Sequence, residues 1–338
     1  MGLLRLALTF LLGPPLFLVA ALCAGAGMAA QQGRHSLRWD LLTHFAPIWL
    51  AGALAAALVA LVALRGLSRW LIATMGVVGV MAAGSLMAPE FTRATGPHAG
   101  ADAPGQLRIV QFNVWSHNAE PEATIDWIAA QHPDIVILEE TTPEFRRMVE
   151  ARTGWRSTCR DCEVMIYSRL PMAKGYVGGG PAVGPLAHAV FRDGQGAFDV
   201  VGVHNAWPTD GGDQQRQEAR LARVIAELPH DRLIVTGDFN STPWSFARRS
   251  WDAAFAIPRR DRALFSWPAG RITQRRIKVP VPVLPIDHVY AGPGWATVSV
   301  TRGPKLGSDH YPVLAILAPV SPPPAPAQGG ADRLQIVK

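Results

Sequence analysis

Three long apolar runs occupy residues 1–90 of this 338-residue chain and constrain its folding more than any other feature. Leu3 to Ala30 is broken only by Arg5 and the Pro14-Pro15 pair; Ile48 to Leu64 and Leu71 to Met87 follow with almost no charge inside. A helix needs about 20 mainly apolar residues to cross a bilayer, with about 17 as the lower limit, so each run has the length of a span. The alternatives are a buried helical hairpin in a water-soluble protein or, for the first run, a cleaved leader, since Ala24-Gly25-Ala26 and Met28-Ala29-Ala30 are cleavable small-residue sites. Three runs in series with so few charges favour a membrane region over residues 1–90, with transmembrane helices near 3–30, 48–64 and 71–87.

Past Pro89 the composition changes. Residues 91–106, around the Gly-, Ala- and Pro-rich Ala94 to Gly105, read as a linker, and charged residues gather beyond it. Over 107–318 strand and helix signals alternate. Strands are expected at Leu107 to Val114, Asp134 to Leu138, Val164 to Ser168, Ala187 to Phe191, Phe198 to Val203, from Leu233, and at Ile286 to Tyr290, Thr297 to Thr301 and Val313 to Leu317. Helical spacing marks Glu122 to Gln131, Pro143 to Thr153 and Asp213 to Leu228, and Trp244 to Trp251 predicts a short helix. Arg271 to Val283 is basic and then Val/Pro-rich, which suits a loop or edge segment because proline donates nothing into a sheet. Between the first two apolar runs, Gln31 to Phe45 is polar with scattered apolar residues and suits an interface. Residues 319–338 open on a proline run and are too poor in apolar residues to fold.

The formal charge of +6 permits a polyanionic partner. Its excess is scattered in pairs such as Arg146-Arg147, Arg248-Arg249, Arg259-Arg260 and Arg275-Arg276, which solvated helix faces explain, so charge names no substrate. The chain has three cysteines, Cys23 in the first run and the Cys159/Cys162 pair, too few for a closed zinc site. The pair is a local disulfide or two ordinary thiols, and a disulfide would place the domain outside the cytoplasm. With three spans, Arg5, Arg65 and Arg69 share one face of the membrane and Arg34, Arg38 and Arg93 the other, nearly a tie under the positive-inside rule. The cysteine pair, and Arg65 and Arg69 crowded into one short loop, favour an extracytoplasmic domain.

The chemistry gathers around Leu233 to Pro243. Leu233-Ile234-Val235 reads as a buried strand that Gly237 breaks just where polar side chains begin. Asp238 and Asn240, two apart, project from one face of an extended segment. Asp can orient or deprotonate a water or hold a cation; Asn cannot ionise and can donate to an anion without repelling it. The pair suits phosphate, although alone it also fits a strand-to-loop turn with a helix-capping Asp. Polar residues recur where other strands end: Asn113, Glu140, His204, Asp287-His288 and Ser308-Asp309-His310. Open sheets place ligands at strand ends, so one site can collect them all.

Six segments stand in order over Leu107 to Ala318: Phe112-Asn113-Val114, Pro133 to Glu140, Val203-His204, Gly237 to Ser241, Ile286 to Val289 and Ser308 to Pro312. In these the chain resembles the endonuclease/exonuclease/phosphatase superfamily, which includes deoxyribonuclease I, apurinic endonucleases, sphingomyelinases and inositol polyphosphate phosphatases. The resemblance implies an α/β (α+β) fold, a four-layer αββα sandwich, preceded here by an N-terminal transmembrane helical region, and a divalent-metal phosphoesterase. Carried over, it has Glu140 bind Mg²⁺ or Mn²⁺, with Asn113 and Asp309 as ligands or ligand orienters, an oxygen set that suits hard cations. Asp238 would position and deprotonate the attacking water, and Asn240 would hold a phosphate oxygen. His310, oriented by Asp287, would contact the phosphoryl group or assist proton transfer. His204 joins the catalytic and substrate-binding set, with Glu163 as its partner. Arg275 lies in a basic stretch able to grip phosphates, or in a solvated loop. His188, His230 and His288 read as structural. Glu139 stands where the family commonly has Gln, and is either a further carboxylate at the metal or a side chain that faces elsewhere. Glu163-Val164-Met165 replaces the usual small residue and Asn, and His204 stands where apurinic endonucleases favour Tyr, which weighs against base excision.

The expectation is a multi-pass protein of a bacterial inner or cell membrane, with the bilayer and a phosphate-ester substrate as its partners. It would hydrolyse phosphodiesters as a nuclease or phosphodiesterase; the alternative is a phosphatase or phospholipase C-like hydrolase of phospholipids or inositol phosphates. A non-catalytic binding protein on the same fold would lack a catalytic residue, and none is missing.

Overall fold

The structure, a computed structural model, describes residues 2–158, 162–178, 185–272 and 277–320. Arg275, Cys159 and the tail beyond residue 320 lie outside the described residues, and with them the expectations for a phosphate-gripping arginine, the cysteine pairing and an unfolded C-terminus.

The chain opens with α1 (Gly2–Ala30), the single turn α2 (Leu37–Asp40), α3 (Ala46–Ala63) and α4 (Gly66–Thr92). Three helical stretches here, Leu6–Arg34, Leu37–Ala63 and Gly66–Thr92, are long and apolar enough to cross a membrane. Small residues line their contacts: Ala20, Ala53, Ala56 and Ala60 are buried, and a Cβ on Gly76 would sit 2.6 Å from that of Ala57. Close backbone approach is how helices associate where surrounding hydrocarbon is as apolar as their own side chains. The outer faces expose Phe10, Leu11, Val62, Leu67 and Met81, the reverse of a water-soluble bundle.

Next come β1 (Leu107–Asn113), α5 (Pro121–Ala130), β2 (Ile135–Glu139), α6 (Pro143–Thr153), β3 (Arg156–Ser157), β4 (Val164–Ser168) and β5 (Lys174–Gly178). They are followed by β6 (Leu186–Asp193), β7 (Gly196–His204), α7 (Gly211–Glu227), β8 (Leu233–Asp238), α8 (Phe246–Phe255), β9 (Arg271–Ile272), β10 (Ile277–Lys278), β11 (Asp287–Ala291), β12 (Trp295–Arg302) and β13 (Val313–Pro319). One sheet has the order β12-β13-β1-β2-β4-β3 and the other β11-β8-β7-β6-β5. Their facing sides share a core containing Ile109, Ile137 and Ile166 from the first and Ala189, Val200, Ile234 and Val289 from the second. On the outside, α5 and α6 cover the first sheet through Ile125, Ile128 and Phe145. α7 and α8 cover the second through Leu221, Ile225 and Phe255. This is the expected four-layer αββα sandwich. Local signals set its edges: α6 begins where the Thr142 hydroxyl accepts from the Phe145 N–H at 3.1 Å and stops at Gly154, left-handed at φ 64°.

Three readings change. One arginine or more of each described pair is buried and not on a solvated helix face: Arg146, Arg248, Arg259 and Arg260. Arg248 lies over the Phe239 and Phe255 rings and pairs with Asp252 one helical turn on and with Glu218 from α7; buried guanidinium needs such partners, and Glu218 is distant in sequence. The linker stretch is also engaged: Ala99 N–H donates to Thr297 O (2.9 Å) and Thr297 N–H to Pro97 O (2.8 Å), extending the edge at β12. Within the Arg271–Val283 segment the described strands β9 and β10 pair antiparallel with each other.

Gln31 to Phe45 docks on the sandwich. Asp40 accepts from Phe246 N–H (2.8 Å) and Ala247 N–H (2.9 Å) at the start of α8, and His44 Nδ1 lies 3.0 Å from Thr242 Oγ1. At the end of α4, Glu90 pairs with Arg259 (2.8 Å) and Arg93 (2.7 Å) and accepts from Ala263 N–H (3.0 Å). The 31–45 segment and the chain after α4 therefore lie at the same end of the three helices, as three successive crossings require.

Candidate active site

Side chains alternate along a strand, and the inward parity decides what meets at the sheet ends. In β1, Leu107 and Ile109 face the other sheet, so Gln111 and Asn113 continue on that side; in β2, Ile135 and Ile137 carry Glu139 with them. Phe198 and Val200 likewise carry His204, Ile234 carries Asp238, and Val289 and Ala291 carry Asp287. Register completes the row: Asp238 pairs with His204 across β7-β8 and with Asp287 across β8-β11. Gly237 permits it, because a Cβ there would fall 1.9 Å from Val203 O. Glu140, just past β2, is left-handed at φ 55°, a turn uncommon for Glu that takes it off the strand's alternation.

Asp238 is the centre. Its Oδ1 accepts from the Asn240 N–H (2.8 Å) and its Oδ2 from Asn113 Nδ2 (3.1 Å). Two imidazoles flank the same Oδ2, His310 Nε2 at 3.5 Å and His204 Nε2 at 3.8 Å. Each ring is held at Nδ1 by a second carboxylate, His310 by Asp287 (3.0 Å) and His204 by Glu163 (2.8 Å). Ser308 ties the last loop down: its hydroxyl donates to Asn113 O (2.7 Å) and accepts from the His310 N–H (3.0 Å). Asn240 Nδ2 donates to Asn205 O (2.9 Å), with a longer 3.3 Å contact to Asp238 Oδ2. Asp309, buried beside His310, takes the Trp267 Nε1–H at 3.4 Å.

Burial opposes every charge in this row. It raises the Asp238 carboxyl to about 6 against the pull of His310, with Asp287 adding to the rise. For His310 burial disfavours the cation, but Asp287 and Asp238 outweigh it and raise the imidazole to about 10. Burial pushes Asp287 up, yet His310 holds it below the usual carboxylate range. His204 is raised despite burial, by its hydrogen bond to Glu163 and by Asp238 and Glu140. Near neutral pH an ionised carboxylate thus stands beside a cationic imidazole, a base and an acid in one place. Behind them Glu139 is pushed well above the usual range, first by burial and then by Asp287 and Asp238. Gln111 Nε2 bridges Glu139 (3.1 Å) and Asp287 (2.9 Å).

The donor set fits a hard divalent cation. Glu140 is the most open carboxylate of the row, its side chain 28% exposed, accepting from Asn113 Nδ2 (3.0 Å) and 3.6 Å from His204. Among the described residues the charged partners of Glu140, Asp238 and Asp287 are histidines, with no arginine or lysine paired to them. Asn240 Oδ1 is buried without a protein partner. A carboxylate surplus with amide oxygens suits Mg²⁺ or Mn²⁺ better than a softer ion. Asp238, Asp287 and His310 also offer ligand atoms within 4.8 Å of one another, but Asp287 and His310 are already hydrogen-bonded to each other, and the imidazole raised to about 10 favours a proton over a metal near neutral pH.

Asn113, Glu140, His204, Asp238, Asn240, Asp287, Asp309 and His310 therefore come together, and Glu163 meets His204 as expected. Glu139 faces the space between the sheets. His288, between Asp261 (2.9 Å) and Ser241 O (2.8 Å), His188 on Asp199 (2.7 Å) and His230 on Ile225 O (3.0 Å) are each tied to protein groups. Gln111 and Asn205 went unforeseen as supports, and Ser308 was named in its segment without a role. Strand parity pointed to Gln111, and Asn205 adjoins His204, already singled out.

The sequence matches the Endonuclease/Exonuclease/phosphatase family over residues 110–310. No curated protein matches it. Among solved structures it is similar to D. rerio TDP2 complexed with single strand DNA product, at 15% identity and TM-score 0.52, over 63% of this chain and 99% of that one. A functionally unknown conserved protein of Enterococcus faecalis V583 is similar at 14% identity and TM-score 0.51, over 63% and 100% of the two chains. The mannosyl-6-phosphatase Bt3783 of Bacteroides thetaiotaomicron is similar at 14% identity and TM-score 0.50, over 63% and 99%. At such identities these likenesses concern the fold alone.

Proposed function

The chain belongs to the Endonuclease/Exonuclease/phosphatase family and is a phosphoester hydrolase, and from this premise we propose that it is a membrane-anchored, divalent-metal-dependent phosphodiesterase. Residues 1–90 serve as the anchor, 91–106 join it to the catalytic part, and 107–318 carry the chemistry on the extracytoplasmic side of a bacterial cell membrane. The observation that carries the reading is the Asp238 carboxylate flanked by two imidazoles, each backed by a carboxylate of its own.

Asp238, fixed by the Asn240 N–H and Asn113, takes the proton from the attacking water. As oxygen adds to phosphorus and the P–O ester bond breaks, protonated His310 gives a proton to the leaving oxygen, so charge balances. Asp287 keeps His310 cationic and aims its Nε2. His204, held by Glu163, donates to a phosphoryl oxygen, and the weakly engaged second N–H of Asn240 serves another. A cation held by Glu140, with Asn113 and Asp309, supplies Lewis-acid polarisation of the phosphoryl group when bound.

The test uses the full chain in detergent, because Asp40, His44 and Glu90 complete the sandwich. Bis-p-nitrophenyl phosphate, plasmid DNA, RNA and phospholipid vesicles are offered with Mg²⁺, Mn²⁺ or EDTA. Cation-dependent turnover is expected, reduced about 10²–10⁴-fold in Asp238→Ala. Turnover that survives EDTA or that substitution would refute the reading.

A further inference from the structure

An apolar cavity of about 570 Å³ opens between the membrane region and the sandwich, within the ~300–1,000 Å³ typical of small-molecule sites. One wall is Leu41, Phe45 and Ile48, from the 31–45 segment and the first turn of α3; the other includes Trp267 and Leu284. Asn240 belongs to the same lining, so the cavity begins where the catalytic row ends. Ile48, at the start of α3, is also 42% exposed, which puts the cavity beside the surface that meets lipid. The cavity walls hold no arginine or lysine among the described residues. On the Glu140 side lies a different cleft, of about 440 Å³, lined by Ser116, Asn118, Glu144 and Arg147.

From this juxtaposition we infer that the substrate is an amphiphilic phosphoester drawn from the bilayer, its hydrocarbon chain in the cavity and its polar substituent toward the Glu140 cleft. The inference rests on the phosphodiesterase reading and narrows its substrate. A phosphoryl group held at Asp238 and Asn240 has one ester arm directed into apolar walls, where hydrocarbon gains from leaving water. A polynucleotide would place charged phosphates among these walls, where the described lining residues offer no arginine or lysine to meet them, which is costly. Trp207, 39% exposed and edge-on to Trp267 at 5.5 Å, adds the kind of aromatic group that settles at membrane interfaces.

The experiment has a binding arm and a turnover arm, both on the full chain. In the first, Asp238→Asn in nanodiscs of phosphatidylethanolamine and phosphatidylglycerol is photolabelled with a phosphatidylglycerol bearing a diazirine in its acyl chain. Label on Phe45, Trp267 or Leu284 is expected; label confined to the outer faces of α1, α3 and α4 would overturn the inference. In the second, turnover of phosphatidylglycerol vesicles is divided by that of bis-p-nitrophenyl phosphate for wild type, Ile48→Trp and Leu41→Trp. Filling the cavity should lower that ratio about tenfold or more, by excluding several methylenes. An unchanged ratio in both variants, or hydrolysis of the soluble ester with none of the lipid, would overturn it. Cavity labelling without turnover of any ester would refute the phosphodiesterase reading and leave the lipid site standing.

Discussion

Replacing Glu139 by Gln tests the electrostatics of the row. The carboxyl is fully buried, and burial together with Asp287 and Asp238 pushes it well above its ordinary value of 4.5. Between about 4.5 and that raised value the folded chain keeps it protonated while an unfolded chain ionises it. In that window the folded state binds more protons than the unfolded one, so stability falls as pH rises above about 4.5, by up to about 1.4 kcal/mol per pH unit for one proton, and levels off once pH passes the folded value. For a domain of about 200 residues that is a Tm loss of roughly 3–5 °C per pH unit. Gln is neutral at every pH and similar in shape, so the variant lacks this slope and gains on wild type by that amount as pH climbs. The assay is tryptophan-fluorescence melting of both proteins in EDTA from pH 4 to pH 8. Parallel Tm curves, or a variant less stable near neutrality, would show that Glu139 ionises in the fold and would refute the reasoning.

Asp287→Asn removes the carboxylate that does most to keep His310 charged, so the alkaline limb of kcat, set by an acid at about 10 in wild type, should move down toward the ordinary histidine range; a pH–rate profile reads it. On the acid side, kcat/KM should fall as Asp238 takes up its proton, at or below about pH 6, since a bound cation can only lower that value from the metal-free one. Glu90→Ala leaves Arg259 buried with one partner fewer and should cost about 3 kcal/mol, seen as a lower Tm of the full chain in detergent. Chelation with EDTA should stop turnover, and added Mg²⁺ or Mn²⁺ should restore it without any change in the melting of α1, α3 and α4.

Most of the site was legible because its parts are local. Asp238 and Asn240 share a motif that closes one apolar strand, Asp309 and His310 another that precedes the last, so strand ends and functional residues are read together. Arg248 and Arg259 were misread for the opposite reason: a charged residue on a helix or in a loop is normally solvated, and only Glu218 and Glu90, brought from elsewhere to join the nearby Asp252, make its burial tolerable. The linker was read from Gly, Ala and Pro, which describe chain stiffness but not the open edge of β12 beside it.

The sequence by itself determined the three apolar helices, the alternation of strands that builds two sheets, and the identity of the acids, amides and imidazoles at their ends, because hydropathy period and residue chemistry are local properties. Only the tertiary structure decided which of these groups touch. Register across β7-β8-β11 sets His204, Asp238 and Asp287 abreast, and the charged neighbours each meets there, acting against burial, move their pKa values in different directions. The same holds for the cavity above Asn240: its two walls are more than 200 residues apart at Phe45 and Trp267, and a surface made by docking two distant segments leaves no trace in the pattern of either.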